Sequence, residues 1–316
     1  MSTLKKVSLI NRDRVSQLPI PQKLFLFLSC TGSIEYPGTE KSIKIIADKL
    51  GIELVESADQ TCCSGYMLTC NAMKPILALA ATARNLSIPE SMGLDVAAFC
   101  NGCYAYMNEL AHLVGHHAGF KPEVDAIMAK IGREFTGKVR IFHVQELWYR
   151  QLEKIASLQK QPLNGLKIAA HYGCHYLANK AAAIDDSADP TFIEEIVERL
   201  GGTPVFYPER RACCGYSVGR GFTHRDDIVI HHLARKMASA VDNGVDLMVT
   251  TCPGCNVALD REQPALREMG ISTNIAVIDI SQLIAFALGA PLDQLGFAAN
   301  TTPVLPVLEK MTQGQS

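Results

Sequence analysis

The chain has 316 residues, of which 48% are hydrophobic and 20% charged, so it can bury a large core and is long enough for two domains. Its formal net charge of −2 and the lack of a Lys/Arg-rich block argue against nucleic-acid binding. No run of about 18 uninterrupted apolar residues occurs, so no transmembrane segment is predicted.

The predicted elements occur twice in the same chain order. In the first half, strand-like and helical segments alternate at 23–28, 42–50, 53–55, 71–88 and 95–99. The second half repeats this order at 167–170, 192–200, 204–207, 223–243 and 246–250. Similar segments at 139–147 and 275–283 end the two repeats.

This alternation of short strands with longer helices predicts βαβ units and parallel sheets. We expect an α/β fold of two pseudo-symmetric, Rossmann-like domains with parallel sheets. The predicted first domain covers 22–160 and the second covers 161–290. An N-terminal extension (1–21) and a C-terminal tail (291–316) lie outside the repeat.

Ten of the eleven cysteines follow strand-like segments in two copies of one pattern. A single cysteine is separated by 31 or 38 residues from an adjacent pair, and 36 or 37 residues separate that pair from a Cys-x-x-Cys motif. Because open parallel sheets bind ligands at the carboxyl ends of strands, each copy is expected to converge at one sheet edge. The first set is Cys30, Cys62, Cys63, Cys100 and Cys103, and the second set is Cys174, Cys213, Cys214, Cys252 and Cys255.

Five thiolates per copy exceed by one the number that a tetrahedral zinc, or a cubane cluster with one thiolate per iron, would use. Disulfides between adjacent cysteines would be strained, and a chain that lacks an export signal is expected in the reducing cytoplasm. Zinc sites and cubane clusters stay open as alternatives that leave one thiolate over in each half. An iron–sulfur cluster whose geometry uses five thiolates, present once in each half, would use all ten cysteines.

The pattern resembles the doubled cysteine-rich CCG domain that defines one of the subunits of heterodisulfide reductase and its relatives. Gly173-Cys174-His175, Cys213-Cys214-Gly215 and the segment 283–289 are similar too. The resemblance implies two [4Fe-4S] clusters of a non-cubane type, with the five cysteines of one set as metal ligands of each. The first Cys-Cys pair departs from the pattern because Ser64 follows it, so we expect a local change in that loop with every ligand kept.

The resemblance also implies an oxidoreductase that reduces or forms a small-molecule or protein disulfide and works only within a complex. Neither a Cys-x2-Cys-x2-Cys run nor a GxGxxG fingerprint occurs, so its electrons must come from a partner. We expect a ferredoxin-like iron–sulfur subunit and a flavin-containing subunit as partners, which would also account for any peripheral contact with a membrane. Two alternatives are an electron-transfer subunit of a succinate/fumarate- or lactate/glycolate-type flavoenzyme complex, passing electrons to or from quinone, and a zinc-stabilised scaffold.

Two histidines are candidate catalytic residues. His175 directly follows a predicted ligand, and His143 lies near the end of the first repeat. Either could donate a hydrogen bond to a cluster sulfur or a proton to a leaving thiolate, although a polar residue on a loop explains each equally well. Cys70 has no counterpart in the second half and is predicted to be a structural thiol. The loop Gly219-Arg220-Gly221 fits either a contact with an anionic substrate or a plain turn.

Overall fold

The computed structural model describes residues 19–69, 72–116, 119–178, 184–216 and 224–313. Cys70 and the loop Gly219-Arg220-Gly221 therefore lie outside the described residues. The first sheet contains β1 (Lys23–Phe27), β2 (Glu53–Val55), β3 (Asp95–Ala98) and β4 (Ile141–His143). The second sheet contains β5 (Lys167–His171), β6 (Thr203–Val205), β7 (Leu247–Thr250) and β8 (Ala276–Asp279).

All strand pairings are parallel, in the orders β2-β1-β3-β4 and β6-β5-β7-β8. The central strands are buried on both faces. In β1 and β5 alike, only the leading lysine is exposed and the other four residues are buried. This is typical of a parallel sheet covered by helices on both sides. The predicted α/β class with two similar parallel sheets is confirmed.

The helices occur in matching order in the two halves. Those of the first half are α1 (Cys30–Glu35), α2 (Pro37–Leu50), α3 (Gly65–Thr69), α4 (Pro75–Ser91), α5 (Asn101–His116), α6 (Lys121–Lys130), α7 (Val144–Arg150) and α8 (Leu152–Ser157). Those that follow are α9 (Cys174–Ala178), α10 (Phe192–Arg199), α11 (Ile230–Asp242), α12 (Pro253–Arg261), α13 (Gln263–Glu268), α14 (Ile280–Ala287) and α15 (Leu305–Gln313). A π-helical turn at Arg225–Val229 and 3-10 turns at Leu292–Gln294 and Phe297–Ala299 complete the described elements.

Local sequence explains where the equivalent helices begin and end. The last strand of each half leads into a helix through a capping box, formed by His143 with Glu146 and by Asp279 with Gln282. Gly51 takes a left-handed backbone (φ 73°) at the C-cap of α2, as expected for a glycine that ends a helix.

The two halves pack on each other reciprocally. Helix α14 of the second half packs on α2 of the first, and α7 of the first half contacts α10 of the second. Tyr149 on α7 stacks edge-to-face on Phe192, with ring centroids 5.8 Å apart, and its hydroxyl donates to Glu195 at 2.5 Å. One large apolar core accordingly contains residues of both halves.

Candidate functional site

The sheet topology brings the cysteines together. In each sheet the strand order reverses between the two central strands, which are β1 and β3 in the first sheet and β5 and β7 in the second. Ligands of open α/β sheets bind in the crevice at this point, outside the carboxyl ends of the strands. Cys30 and Cys100 follow β1 and β3 closely, and Cys174 and Cys252 follow β5 and β7 in the same way.

Sulfur atoms approach one another within each set and between the two sets. In the second set, Sγ of Cys174 lies 3.6 Å from Sγ of Cys213, and Sγ of Cys214 lies 3.4 Å from Sγ of Cys255. Across the two halves, Sγ of Cys100 lies 3.9 Å from Sγ of Cys252. In the first set, the side chain of Cys30 interacts with that of Cys62, and the side chain of Cys63 interacts with those of Cys62 and Cys103. The ten predicted ligands therefore lie together at the boundary between the halves.

The loops that carry the two Cys-Cys pairs have the same local structure. Ser64 after the first pair has φ 65°, and Gly215 after the second has φ 78°. The Ser64 N–H donates to Sγ of Cys62 at 3.5 Å, and the Gly215 N–H donates to Sγ of Cys213 at 3.3 Å. The change that we expected from Ser64 is thus not seen at this backbone position, because the serine adopts the left-handed conformation that the glycine takes.

The thiols are too crowded to ionise together unless a cation joins them. Neighbouring cysteines, with burial adding to their effect, raise the pKa of Cys30, Cys103, Cys174 and Cys255 above that of an ordinary thiol. Iron bound as a cluster would remove this repulsion, since the metal-bound form of cysteine is the thiolate. The donor set therefore fits iron–sulfur binding, with the ten cysteines as the residues that would hold the iron.

Both sets face one cleft of about 540 Å³. Cys30, Cys62, Cys63, Cys100 and Cys103 line it from the first half, and Cys174, Cys214, Cys252 and Cys255 line it from the second. Ile34, Tyr66 and Met67 add exposed apolar surface among the other lining residues. A small molecule in this cleft would contact both cysteine sets.

The two candidate histidines lie in different positions. His175 lines the cleft, and its ring contacts Tyr106 with centroids 5.3 Å apart. His143 is fully buried, its Nδ1 accepts the N–H of Gln145 at 3.3 Å, and its ring packs edge-on against Tyr104 at 5.4 Å. Burial lowers the pKa of His143 to about 3. Of the two residues, only His175 contacts the space in which a substrate would sit.

Two buried groups beside the second cysteine set, His171 and Lys236, belong to no motif in the sequence. One ring nitrogen of His171 and the Sγ atoms of Cys214 and Cys255 lie within 4.8 Å of one another. The Lys236 ammonium binds carbonyl groups of the segment that leads into Cys213. Comparing the two repeats position by position could have found both residues, since the first half has Phe27 and Asn85 there.

The site's residues also connect the two halves. The Asn101 side chain, within the first Cys-x-x-Cys motif, donates to the carbonyl of Tyr172 at 2.8 Å and to Oγ1 of Thr251 at 3.1 Å. A Cβ on Gly173 would lie 2.3 Å from Nδ2 of Asn101, so only glycine fits where these chains meet. The same hydrogen bonds therefore fix the position of both cysteine sets.

Comparison with known proteins agrees with this arrangement. The CCG family of cysteine-rich domains matches residues 24–108 and 168–260, one match in each half. A subunit of the Ferredoxin/F(420)H(2)-dependent CoB-CoM heterodisulfide reductase of Methanosarcina acetivorans is 33% identical over 293 residues, 92% of this chain and 97% of the relative. The 8-methylmenaquinol:fumarate reductase membrane anchor subunit of Wolinella succinogenes is 31% identical over 287 residues, 88% of this chain and 97% of the relative.

A solved structure of a hypothetical protein from Helicobacter pylori shares the fold, with a TM-score of 0.69 at 14% identity. The match covers 90% of this chain but only 53% of that one, so the present chain spans about half of its length.

Fold and cysteine arrangement together define a doubled α/β protein of the iron–sulfur oxidoreductase class. The chain belongs to the family of CCG cysteine-rich domain proteins, and it resembles the Methanosarcina heterodisulfide reductase subunit along nearly its whole length. Among the described residues, none of the helices combines the length and apolar character needed to cross a membrane.

Proposed function

We propose that the chain is the cluster-bearing subunit of a heterodisulfide-reductase-like complex that reduces or forms a disulfide. One observation carries this proposal: nine of the ten cysteines, with members of both sets, line the same cleft. Reduction of a disulfide takes two electrons and two protons and gives two thiols. Two redox groups facing one substrate can supply one electron to each sulfur, so that no thiyl radical need leave the site.

The ten cysteines would hold two [4Fe-4S] clusters of the non-cubane type, one per set. This assignment uses every thiol of each set, whereas zinc or a cubane cluster would leave one over. Cys100 and Cys252 lie where the two sets meet. A disulfide bound between the sets would therefore have each sulfur close to a different cluster.

We assign His175 as the proton donor to a departing thiolate. It lines the cleft directly after the predicted ligand Cys174, and its contact with Tyr106 positions the ring. His143, which is buried behind the cleft and caps α7, would act as a positioning residue.

The electrons would come from partner subunits, a ferredoxin-like iron–sulfur protein and a flavoprotein. The similar Methanosarcina subunit is named as part of a reductase that depends on ferredoxin or F(420)H(2). Cysteines that bind iron must stay reduced, which fits a cytoplasmic location, with any contact with the membrane made through partners.

A second candidate function is electron transfer without disulfide chemistry. It is favoured by the 31% identity to the fumarate reductase subunit of Wolinella succinogenes. In that case the chain would pass electrons between a flavoprotein and quinone, and no thiol would bind in the cleft.

The experiment that tests the proposal begins with iron and acid-labile sulfide per chain, alongside zinc, on anaerobically purified protein. We expect about eight irons and eight sulfides, four of each per cluster. Small thiols are then added to the oxidised protein while its EPR spectrum is recorded. A thiol-dependent signal supports disulfide chemistry, an unchanged spectrum favours electron transfer alone, and about two zincs without sulfide would leave a scaffold.

A further inference from the structure

The duplicated fold makes equivalent positions of the two cysteine sites directly comparable. Strands β1 and β5 each have five residues with the same burial pattern, and they end in Phe27 and His171. Both side chains are only 1% exposed. The same structural position therefore carries an apolar ring in the first half and an imidazole in the second.

Among the residues that the structure describes, His171 has no hydrogen-bond partner. Both of its ring nitrogens are buried there without one. Leaving such a group unsatisfied is unfavourable, and the sulfur atoms of Cys214 and Cys255 lie within 4.8 Å of one of its ring nitrogens. An imidazole carries at least one N–H in either protonation state, so His171 can donate to a sulfur held by this set.

A second difference lies on the helix that follows each Cys-Cys pair. Asn85 on α4 and Lys236 on α11 occupy the same position, counted back from the left-handed glycines Gly93 and Gly244. Both side chains are buried. Each of them binds the chain segment that leads into the Cys-Cys pair of its own half.

Asn85 binds its segment through a neutral amide. Its Nδ2 donates to the carbonyl oxygens of Thr61 at 3.3 Å and Cys62 at 2.9 Å, and its Oδ1 accepts the N–H of Thr61 at 3.0 Å. These bonds fix the first Cys-Cys loop through an uncharged side chain. The neighbouring Arg84 guanidinium donates to Oδ1 of Asn85 at 3.2 Å, and the second half has Arg235 at the equivalent position, so Lys236 is the charge that distinguishes the halves here.

Lys236 binds the equivalent segment through a cation. Its Nζ donates to the carbonyl oxygens of Glu209, Arg210 and Ala212 at 2.6, 3.1 and 3.2 Å. Three acceptors use the three N–H groups that only an ammonium provides. Burial lowers the pKa of Lys236 to about 7, and the thiolate of Cys214 is the strongest influence that opposes this shift.

A buried acid near the second cysteine set opposes the effect of the Lys236 cation, because it adds negative charge. Asp279, at the end of β8, interacts electrostatically with Cys252. Burial raises the pKa of the Asp279 carboxyl to about 7, so its negative charge is partly suppressed near neutral pH.

We propose that the second cysteine set holds the cluster with the higher reduction potential, because the His171 N–H and the Lys236 ammonium stabilise the negative charge that reduction adds. The inference rests on the proposed function, in which each half holds a cluster. Hydrogen bonds to cluster sulfur and nearby positive charge both raise reduction potentials. One electron from the partner's iron–sulfur centre would therefore occupy the second cluster before the first.

The test is an EPR-monitored redox titration of the anaerobically purified holoprotein, with iron and sulfide measured on every sample. We expect two separate midpoint potentials in the unmodified protein. His171→Phe copies the first half at this position, and Lys236→Asn copies Asn85. Each substitution should lower the higher potential and leave the lower one in place.

Two further variants separate this effect from loss of structure. His171→Gln keeps an N–H donor and should retain more of the original potential than His171→Phe. Phe27→His adds a hydrogen-bond donor to the first half and should raise the lower midpoint potential. The difference between the two potentials should then become smaller.

A single shared midpoint in the unmodified protein would overturn the inference. So would unchanged potentials in both His171→Phe and Lys236→Asn at full iron content, or a strong nitrogen hyperfine coupling showing His171 to be an iron ligand. If the unmodified protein lacks iron and sulfide, the proposed function fails together with the inference. If it is fully loaded and the substitutions have no effect on the potentials, the inference alone fails.

Discussion

Ser64 is the one non-glycine residue with a positive φ within the part of the chain that the structure describes. A side chain in the left-handed region is disfavoured by roughly 1 kcal/mol relative to glycine. Because Gly215 fills the equivalent position in the second half, we expect Ser64→Gly to raise the free energy of unfolding by about that amount. Anaerobic urea unfolding of the two proteins at matched iron content measures the difference.

The reciprocal substitution is the control. A Cβ on Gly215 would lie 3.2 Å from Cβ of His232 and from Cα of Val229, so Gly215→Ser should destabilise the protein by crowding as well as by backbone strain. Equal stabilities for Ser64→Gly and the unmodified protein would show that contacts of the buried serine side chain offset the cost of its left-handed backbone conformation.

His175 is the proposed proton donor in the cleft. If it protonates the leaving thiolate, His175→Gln should lower the rate of disulfide reduction by about 100-fold or more, the usual contribution of a positioned acid. The measurement is turnover of a small disulfide with a chemical electron donor. Iron content and redox potentials should stay unchanged, and an unchanged rate would assign the proton to another group or to water.

The ten cysteines and the two buried groups beside them, His171 and Lys236, differ in how directly the sequence reveals them. Cysteines at matched spacing are a rare pattern, so all ten predicted ligands could be named, and the structure places them together. His171 and Lys236 lack such a pattern, because a single histidine at a strand end or a lysine on a helix is ordinary in sequence. Their importance comes from burial and from contacts with distant segments.

At the scale of elements, Glu146 on α7 joins three helices at the boundary between the halves. Its Oε1 accepts the hydroxyls of Tyr104 on α5 and Tyr176 on α9, at 2.9 and 3.0 Å. Burial raises the pKa of Glu146 from 4.5 to about 7. The folded state thus binds a proton more tightly than the unfolded chain does.

The sign of the resulting pH dependence follows from this shift. The protonated carboxyl favours the folded state below the unfolded pKa of 4.5, and this contribution declines as the pH rises to about 7. Glutamine cannot titrate, so Glu146→Gln should remove this pH-dependent loss of the free energy of unfolding. The loss amounts to at most roughly 1.4 kcal/mol per pH unit between about pH 5 and 7. Urea unfolding at several pH values tests this, and parallel pH profiles for variant and parent would contradict it.

Element boundaries show how far periodicity can predict. The helical stretch expected near 71–88 corresponds to Pro75–Ser91, and the one at 223–243 includes the π-helical turn before Ile230–Asp242. Apolar spacing shows which face of a helix is buried but not which helix covers it. The packing of α14 on α2 and of α7 on α10 could therefore not be predicted from the repeat alone.

At the scale of the whole molecule, that reciprocal packing makes each half depend on the other. Helix α2 buries Ile43, Ile46 and Leu50, and the helix packed on it, α14, belongs to the second half. A fragment covering 22–160 would expose the surface of α2 that α14 covers, and it would lose the hydrogen bonds that Asn101 makes to the second half. Exposed apolar surface of this kind favours aggregation.

We therefore expect the 22–160 fragment alone to be insoluble or to purify without iron. Co-expression with a fragment covering 161–316 should restore a complex that carries the iron content of the intact chain, because the interface supplies the missing packing. Affinity purification through a tag on one fragment, followed by iron and sulfide analysis, measures this. A soluble 22–160 fragment that holds about four irons by itself would show instead that the halves fold independently and that the first cysteine set needs no support from the second.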